Sequence, residues 1–193
     1  DVAGHVVDML FPDGADGRIP ITAVTGTNGK TTTARLIAHL LRQAGHRVGL
    51  ACTGGIEVEN RVIMRGDCSG PESARTVLRE PSVEHAVLEV ARGGIMRRGL
   101  GFDACEVGVM LNVAADHLGD YGLNTLDDMA RCKSVVIDAI REGGTAVLNA
   151  DDPRCLQAQE WARGEVVLFS LDPDSRALRA HVHEQGVAFT VHE

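Results

Sequence analysis

The sequence predicts an α/β fold, a mostly parallel doubly wound sheet with small β-hairpin appendages, and three observations predict it. Short apolar or β-branched runs alternate with amphipathic helical patterns, the order that successive βαβ units produce. The stretch ITAVTGTNGKTTT, residues 21–33, reads as strand, glycine-bracketed turn and helix start in succession. Residues with chemistry to offer, Glu89 and the run NVAADH, fall at or just past the ends of predicted strands. That edge is where open α/β sheets bind ligands.

Taken in order, Val2, Val6, Val7, Met9 and Leu10 line one face of a short helix, and Pro12, Gly14, Gly17 and Pro20 then break the chain into a linker. Residues 1–20 therefore read as a linker or the tail of an upstream domain, and the domain proper as 21–193. In the phosphate loop, Gly26 and Gly29 let backbone N–H groups converge on phosphate oxygens, and a helix opening at Lys30 adds the positive end of its dipole. Lys30 supplies a point charge, and Thr31 a hydroxyl for Mg²⁺. The spacing departs from the full G-x-x-x-x-G-K-[ST] pattern, because Val24 stands five positions before Gly29 and Gly26 closes a shorter loop.

The helix buries Ala34, Ile37, Leu40, Leu41 and Ala44 and closes at Gly45, and residues 48–51 give the next strand. Residues 56–64 alternate around Glu59 and Asn60 as a hairpin at the sheet edge. GDCSGP is a loop, with Pro71 and Glu72 opening a helix to about Arg79. Residues 86–90 and 107–113 are buried strands, the second ending in Asn112, Asp116 and His117. Thr125 caps a helix that runs to Gly143 and Gly144, with Asp127 and Asp128 in its first turn. A strand at 145–148, a helix to Arg163 and a strand at 166–169 follow. Residues 178–183 and 187–191 alternate around Gln185 and Gly186 as a final hairpin.

Composition excludes several classes. A net charge of −8 with scattered basic residues argues against nucleic acid as a partner, and 3% aromatic content removes a base-stacking platform. The five cysteines are odd in number and widely spaced, so they read as reduced thiols of a cytoplasmic protein rather than as disulfides or a zinc site. No apolar run approaches the roughly 20 residues that span a bilayer, which speaks against a membrane.

A nucleotide-bound cation needs ligands from several strand ends, and Glu89 and His117 are candidates. Glu89 is a lone acid inside VLEVA, costly to bury without a cation, though an edge salt bridge is the plain alternative. His117 is either a solvated loop residue or a ligand oriented by Asp116. Lys133 by itself reads as a lysine snorkelling to the surface, and Asn149, Asp151 and Asp152 as a turn and an N-cap. His181 and His183 share a strand face but lack further partners for a metal.

The phrases TGTNGKTT, LEVA, NVAADH, a lysine beyond it and LNADDP, in this order, resemble the ATP-binding central domain of the Mur ligase superfamily. GDCSGP and EVARGGI sharpen that resemblance to the cyanophycin synthetase family, over nearly the whole chain. The resemblance implies an ATP-dependent ligase with Mg²⁺, joining arginine to aspartate side chains of a poly-aspartate (cyanophycin) chain through an acyl phosphate. It implies that Gly26, Thr27, Asn28, Gly29, Lys30, Thr31 and Thr32 bind the triphosphate and that Asn149 meets adenine. Thr31 and Glu89 would hold one Mg²⁺ and His117 a second, with Lys30, His117 and Lys133 catalytic and Lys133 a carbamylation site. Ser69, Gly70, Glu72 and Ser73 would lie at the acceptor. The expected partners within one chain are an upstream ATP-grasp domain and a downstream carboxyl-terminal Mur domain, neither of which lies within these residues. A homo-oligomer stays open. Two rivals remain on the residues alone: another amide ligase of the superfamily, acting on a folate or cell-wall precursor, and an ATP-binding module without catalysis.

Overall fold

The computed structural model describes residues 2–10, 16–116, 118–184 and 186–190. Among them nine strands form one sheet in the order β4-β3-β2-β5-β1-β6-β7-β8-β9. The central strand β1 (Ile21–Thr25) pairs in parallel with β5 (His85–Glu89) on one side and β6 (Cys105–Met110) on the other. Outward from β5 comes β2 (Val48–Cys52), and outward from β6 come β7 (Ile140–Asn149), β8 (Glu165–Ser170) and β9 (Val187–Thr190), all parallel. Only β3 (Gly55–Val58) is reversed, pairing antiparallel with β2 and, as the expected edge hairpin, with β4 (Arg61–Arg65). Its two central residues, Glu59 and Asn60, both take positive φ, the geometry of the tight turn whose twist matches its strands.

The strands read as continuous apolar runs because both faces are covered. Successive residues serve opposite sides: Ala23 and Leu88 pack in the core under helices α3 (Pro71–Leu78) and α5 (Leu126–Asp138), while Val24 and Val87 pack under α2 (Lys30–Gln43). Each fully buried Val or Leu here contributes roughly 1.5–3 kcal/mol relative to exposure. α5 begins as its sequence suggests: Thr125 accepts from the Asp128 amide, and the Asp128 side chain returns the bond to the Thr125 amide. It ends at Asp138, earlier than Gly143, because residues 140–144 already belong to β7. Past β7, α6 (Pro153–Gln157) is capped by Asp152 and continues as a 3₁₀ turn to Trp161.

Two elements depart from expectation. Residues 178–183 are helical, within α7 (Arg176–His183), so the predicted second hairpin is a βαβ crossover from β8 to a parallel β9. The alternation of Leu178, Ala180 and Val182 mimics a strand, but Ser175 caps a helix by accepting from the Leu178 amide, and a parallel neighbour requires a crossover that a two-residue turn cannot provide. His181 consequently bonds the Val166 carbonyl and shares no strand face with His183. The second departure is α4 (Arg92–Arg98), formed where Gly93 and Gly94 suggest only a loop. Val2, Val6, Val7 and Met9 of α1 (Val2–Leu10) are exposed, and no helix among the described residues is long and apolar enough to cross a membrane. All five cysteines are free and buried.

Candidate functional site

The chain order places the loop after β1 at the point where the sheet winds in both directions, since β1 lies between β5 and β6 while its own crossover α2 leads away to β2. A crevice at the carboxyl ends follows from that topology. Gly29 occupies the left-handed region (φ 83°) as the residue before α2, and Gly26 (φ 153°) passes so close to β6 that a β-carbon would stand 3.0 Å from that of Leu111. The loop therefore needs both glycines. It is pinned from the next strand end: Asn112 accepts the amides of Thr27 and Asn28 through Oδ1 at 3.1 and 2.8 Å and donates through Nδ2 to the Asn28 carbonyl at 3.1 Å. The Thr27 hydroxyl accepts from the Ala114 amide at 2.9 Å. The amides of Thr27 and Asn28 donate to Asn112, and those at the start of α2 face the loop's mouth.

Lys30 Nζ folds back on the Thr27 carbonyl at 2.8 Å. Gly26, Thr27 and Lys30 line a cavity of about 210 Å³ together with Arg92, Asp116, Met129 and Lys133. Three cationic side chains against one carboxylate suit an anionic occupant. Lys133 is only 4% exposed, so it is no snorkelling surface lysine: it projects inward from α5 and donates to the Gly26 carbonyl at 2.9 Å. Burial, reinforced by the charge of Lys30, lowers its pKa to about 8. Thr32, by contrast, is exposed on the outer side of α2.

Glu89, 4% exposed at the end of β5, accepts from the Thr31 hydroxyl at 2.8 Å and from the amide and hydroxyl of Thr53 at 2.9 Å each. These partners are all neutral, and none of the described residues pairs a cation with it. A buried carboxylate left uncompensated beside a hydroxyl is a hard-oxygen donor set that fits a divalent cation such as Mg²⁺. No cluster of three or more His, Cys, Asp and Glu forms among the described residues. His117 lies outside the described residues.

A second cavity, about 450 Å³, adjoins the first. It is lined by Asp67, Ser69, Gly70, Glu72 and Ser73 on the α3 side and by Arg97 and Arg98 of α4, and Ala91 and Gly93 belong to both cavities. The Ser69 carbonyl accepts from the Ala91 amide at 3.2 Å, which fastens the loop before α3 to the start of α4. The four residues predicted from GDCSGP thus stand beside the loop cavity. Asn149 does not: it ends β7, two strands from β1, and its amide donates to the Leu111 carbonyl at 2.9 Å while its oxygen accepts from the Asp151 amide at 2.9 Å.

Sequence reasoning assigned no role to Asn112, Thr53 or the arginines of α4. For Asn112 the signal was its place directly after a buried strand. For Thr53 and α4 no local pattern pointed to the site.

The model of the Mur ligase middle domain matches residues 24–193. The cyanophycin synthetase of Synechocystis sp. is 51% identical over 188 residues, which are 97% of this chain and 22% of that protein. The chain thus spans about a fifth of the length of this relative. Among solved structures, a UDP-N-acetylmuramoyl-L-alanyl-D-glutamate–2,6-diaminopimelate ligase superposes with a TM-score of 0.66 at 24% identity, covering 89% of this chain and 35% of the other. E. coli FolC in complex with ADP superposes with a TM-score of 0.61 at 20% identity, covering 79% and 43%.

Proposed function

The chain belongs to the Mur ligase family, as its middle domain, and from that premise we propose that it is the ATP-binding part of a ligase joining arginine to aspartate side chains of a poly-aspartate chain. The observation that carries the reading is the common wall of the two cavities at Ala91 and Gly93, which sets a cationic phosphate-sized space against the predicted acceptor residues. The 51% identity to a cyanophycin synthetase supports the substrate pair, and the ADP-bound neighbour supports the nucleotide. An upstream ATP-grasp domain and a downstream Mur domain belong to the same proposal.

In this reading a side-chain carboxylate oxygen attacks the γ-phosphorus of ATP, ADP departs, and an acyl phosphate forms. The α-amine of arginine then attacks the acyl carbon, losing a proton and expelling phosphate, which leaves an isopeptide bond. Lys30 and the amides opening α2 hold the transferring phosphoryl group in fixed geometry, so its charge is met without reorganisation. Thr31 and Glu89 would hold Mg²⁺, which supplies charge neutralisation when bound. His117 would serve a second ion, and Asn149 the adenine.

Lys133 is a carbamylation candidate in the same proposal. Only an unprotonated amine adds CO₂, and a pKa of about 8 leaves a substantial neutral fraction near neutral pH. If Lys133 is carbamylated, Lys133→Ala loses activity that short-chain carboxylates partly restore.

The test is ADP release by the complete ligase carrying this domain, given poly-aspartate, arginine and ATP. Release that requires all three supports the reading. Release only with a folate or cell-wall precursor replaces it with another ligase, and ATP binding without turnover on any acceptor replaces it with a binding module.

A further inference from the structure

Arg97 and Arg98 line the second cavity and Arg92 the first, and of these Arg92 and Arg98 each pair with a carboxylate, Arg98 sharing its partner with Arg75. Arg92 pairs with Asp120 at 3.0 Å, and Glu72 takes both Arg75 at 2.7 Å and Arg98 at 3.2 Å. Arg97 has no carboxylate partner among the described residues. Its Nε donates to the Gly93 carbonyl at 2.8 Å, and its Cζ lies 6.0 Å from the centre of the Tyr121 ring. The guanidinium is folded over Gly93 so closely that a β-carbon there would stand 3.1 Å from Nη2. Gly93 lines both cavities and Arg97 the second, so an uncompensated cation sits at their junction.

Its geometry is specific. With Nε held by the Gly93 carbonyl and the ring of Tyr121 alongside, the plane of the guanidinium is fixed while its two Nη groups keep their donors. That is the end-on fork that grips a carboxylate at two points.

The chemical problem at this junction rests on the ligase reading above. A poly-aspartate chain ends in a residue with two carboxylates, one α and one on the side chain, separated by two carbons. Their unperturbed pKa values differ by less than about one unit, so both are anionic at neutral pH and intrinsic reactivity does not choose between them. An enzyme that modifies only the side chain must hold the other group away from the γ-phosphate. We propose that Arg97 receives the terminal α-carboxylate of the acceptor and so decides which carboxylate is phosphorylated.

The experiment uses the complete ligase, arginine, ATP and two synthetic aspartate-backbone acceptors, one ending in a free α-carboxylate and the other in an α-carboxamide. ADP release gives KM and kcat, and fragmentation mass spectrometry locates the added arginine. The wild type should favour the free acid by roughly 10- to 100-fold in KM, the range expected for one charged hydrogen-bonded pair. Arg97→Ala should raise KM for the free acid to the level of the carboxamide, leave the carboxamide KM and both kcat values nearly unchanged, and yield some α-linked arginine. Arg97→Lys should fall between. Arg97 is exposed, so melting temperatures should coincide and exclude a folding defect. Equal KM values for the two acceptors in the wild type would overturn the assignment, as would equal losses on both in Arg97→Ala, or a product still linked only through side chains. A wild type that releases no ADP with either acceptor overturns the ligase reading, and this assignment falls with it.

Discussion

Lys133→Met tests whether the inward lysine carries an electrostatic cost inside the fold. Burial lowers the lysine pKa from 10.5 to about 8, and at roughly 1.4 kcal/mol per pH unit this costs the folded state about 3 kcal/mol wherever the amine is charged in both states. The direction follows from which state holds more protons. Below pH 8 both are protonated and the full cost is present, whereas between 8 and 10.5 the folded amine has lost its proton while the unfolded one retains it, so stability rises with pH. Buried thiols oppose this. Cys105 is pushed up to about 12 from 9.0, and Cys132 and Cys155 are also raised, so the fold loses stability above pH 9 as unfolded thiols ionise. The difference between wild type and Lys133→Met cancels Cys105 and the burial that dominates Cys132 and Cys155, leaving only the smaller influence of Lys133 on those two thiols, because methionine keeps most of the apolar stem and removes the titrating group. Urea unfolding at pH 7 and pH 10 should show wild type gaining about 2.5 kcal/mol relative to the variant. A difference that stays flat with pH would refute the burial of a charged amine, and one that falls would mean that an unseen anion holds the charge in place.

Other sites give shorter tests. Lys30→Ala in the complete ligase should abolish arginine addition and spare aspartate addition, and loss of both, measured by incorporation of labelled amino acids, would count against separate ATP sites. Glu89→Gln keeps the volume and can still accept from the Thr31 hydroxyl and the Thr53 amide through its oxygen, but removes the negative charge, so ATP affinity in Mg²⁺ should fall more than tenfold by calorimetry while affinity without Mg²⁺ changes little. Asn112→Ala orphans the Asn28 amide, while the Thr27 amide keeps the backbone carbonyl of residue 112, and should lower stability by about 1–3 kcal/mol in urea titrations, with weaker ATP binding. Unchanged stability and affinity there would mean that the loop holds its shape without the clamp.

Periodicity reveals the fold where one residue type dominates an element, and fails where two patterns coincide. The strands β1, β5 and β6 were legible because covered sheets are apolar on both faces, and α5 because Thr125 and Asp128 sit at capping-box spacing. α7 was misread because an eight-residue helix with Leu178, Ala180 and Val182 also alternates, and its length gives too few turns to separate periods of 2 and 3.6. α4 was hidden by Gly93 and Gly94, each of which weakens a helix by about 1 kcal/mol relative to alanine. Tertiary packing overrides that propensity: Gly94 lies so near Gly70 and Pro71 that a β-carbon would stand 3.2 Å from the Gly70 Cα. A residue with a side chain at 94 would therefore push α4 away from the loop before α3.

The phosphate loop turns back at Gly26, which runs against Leu111 and so brings the next residues against Asn112. The next two amides emerge toward the end of β6: that of Thr27 also donates to the Asn112 backbone carbonyl at 2.9 Å, whereas that of Asn28 would be orphaned without the Asn112 side chain. A single carboxamide at the first position past a buried strand satisfies both through one oxygen and returns a donor to the Asn28 carbonyl through its nitrogen. Aspartate could accept the two amides but would face the Asn28 carbonyl with a second oxygen and add negative charge beside a phosphate site. Asparagine thus matches the Asn28 amide and carbonyl with one acceptor and one donor, a role that becomes visible only once β1 and β6 are known to be neighbours.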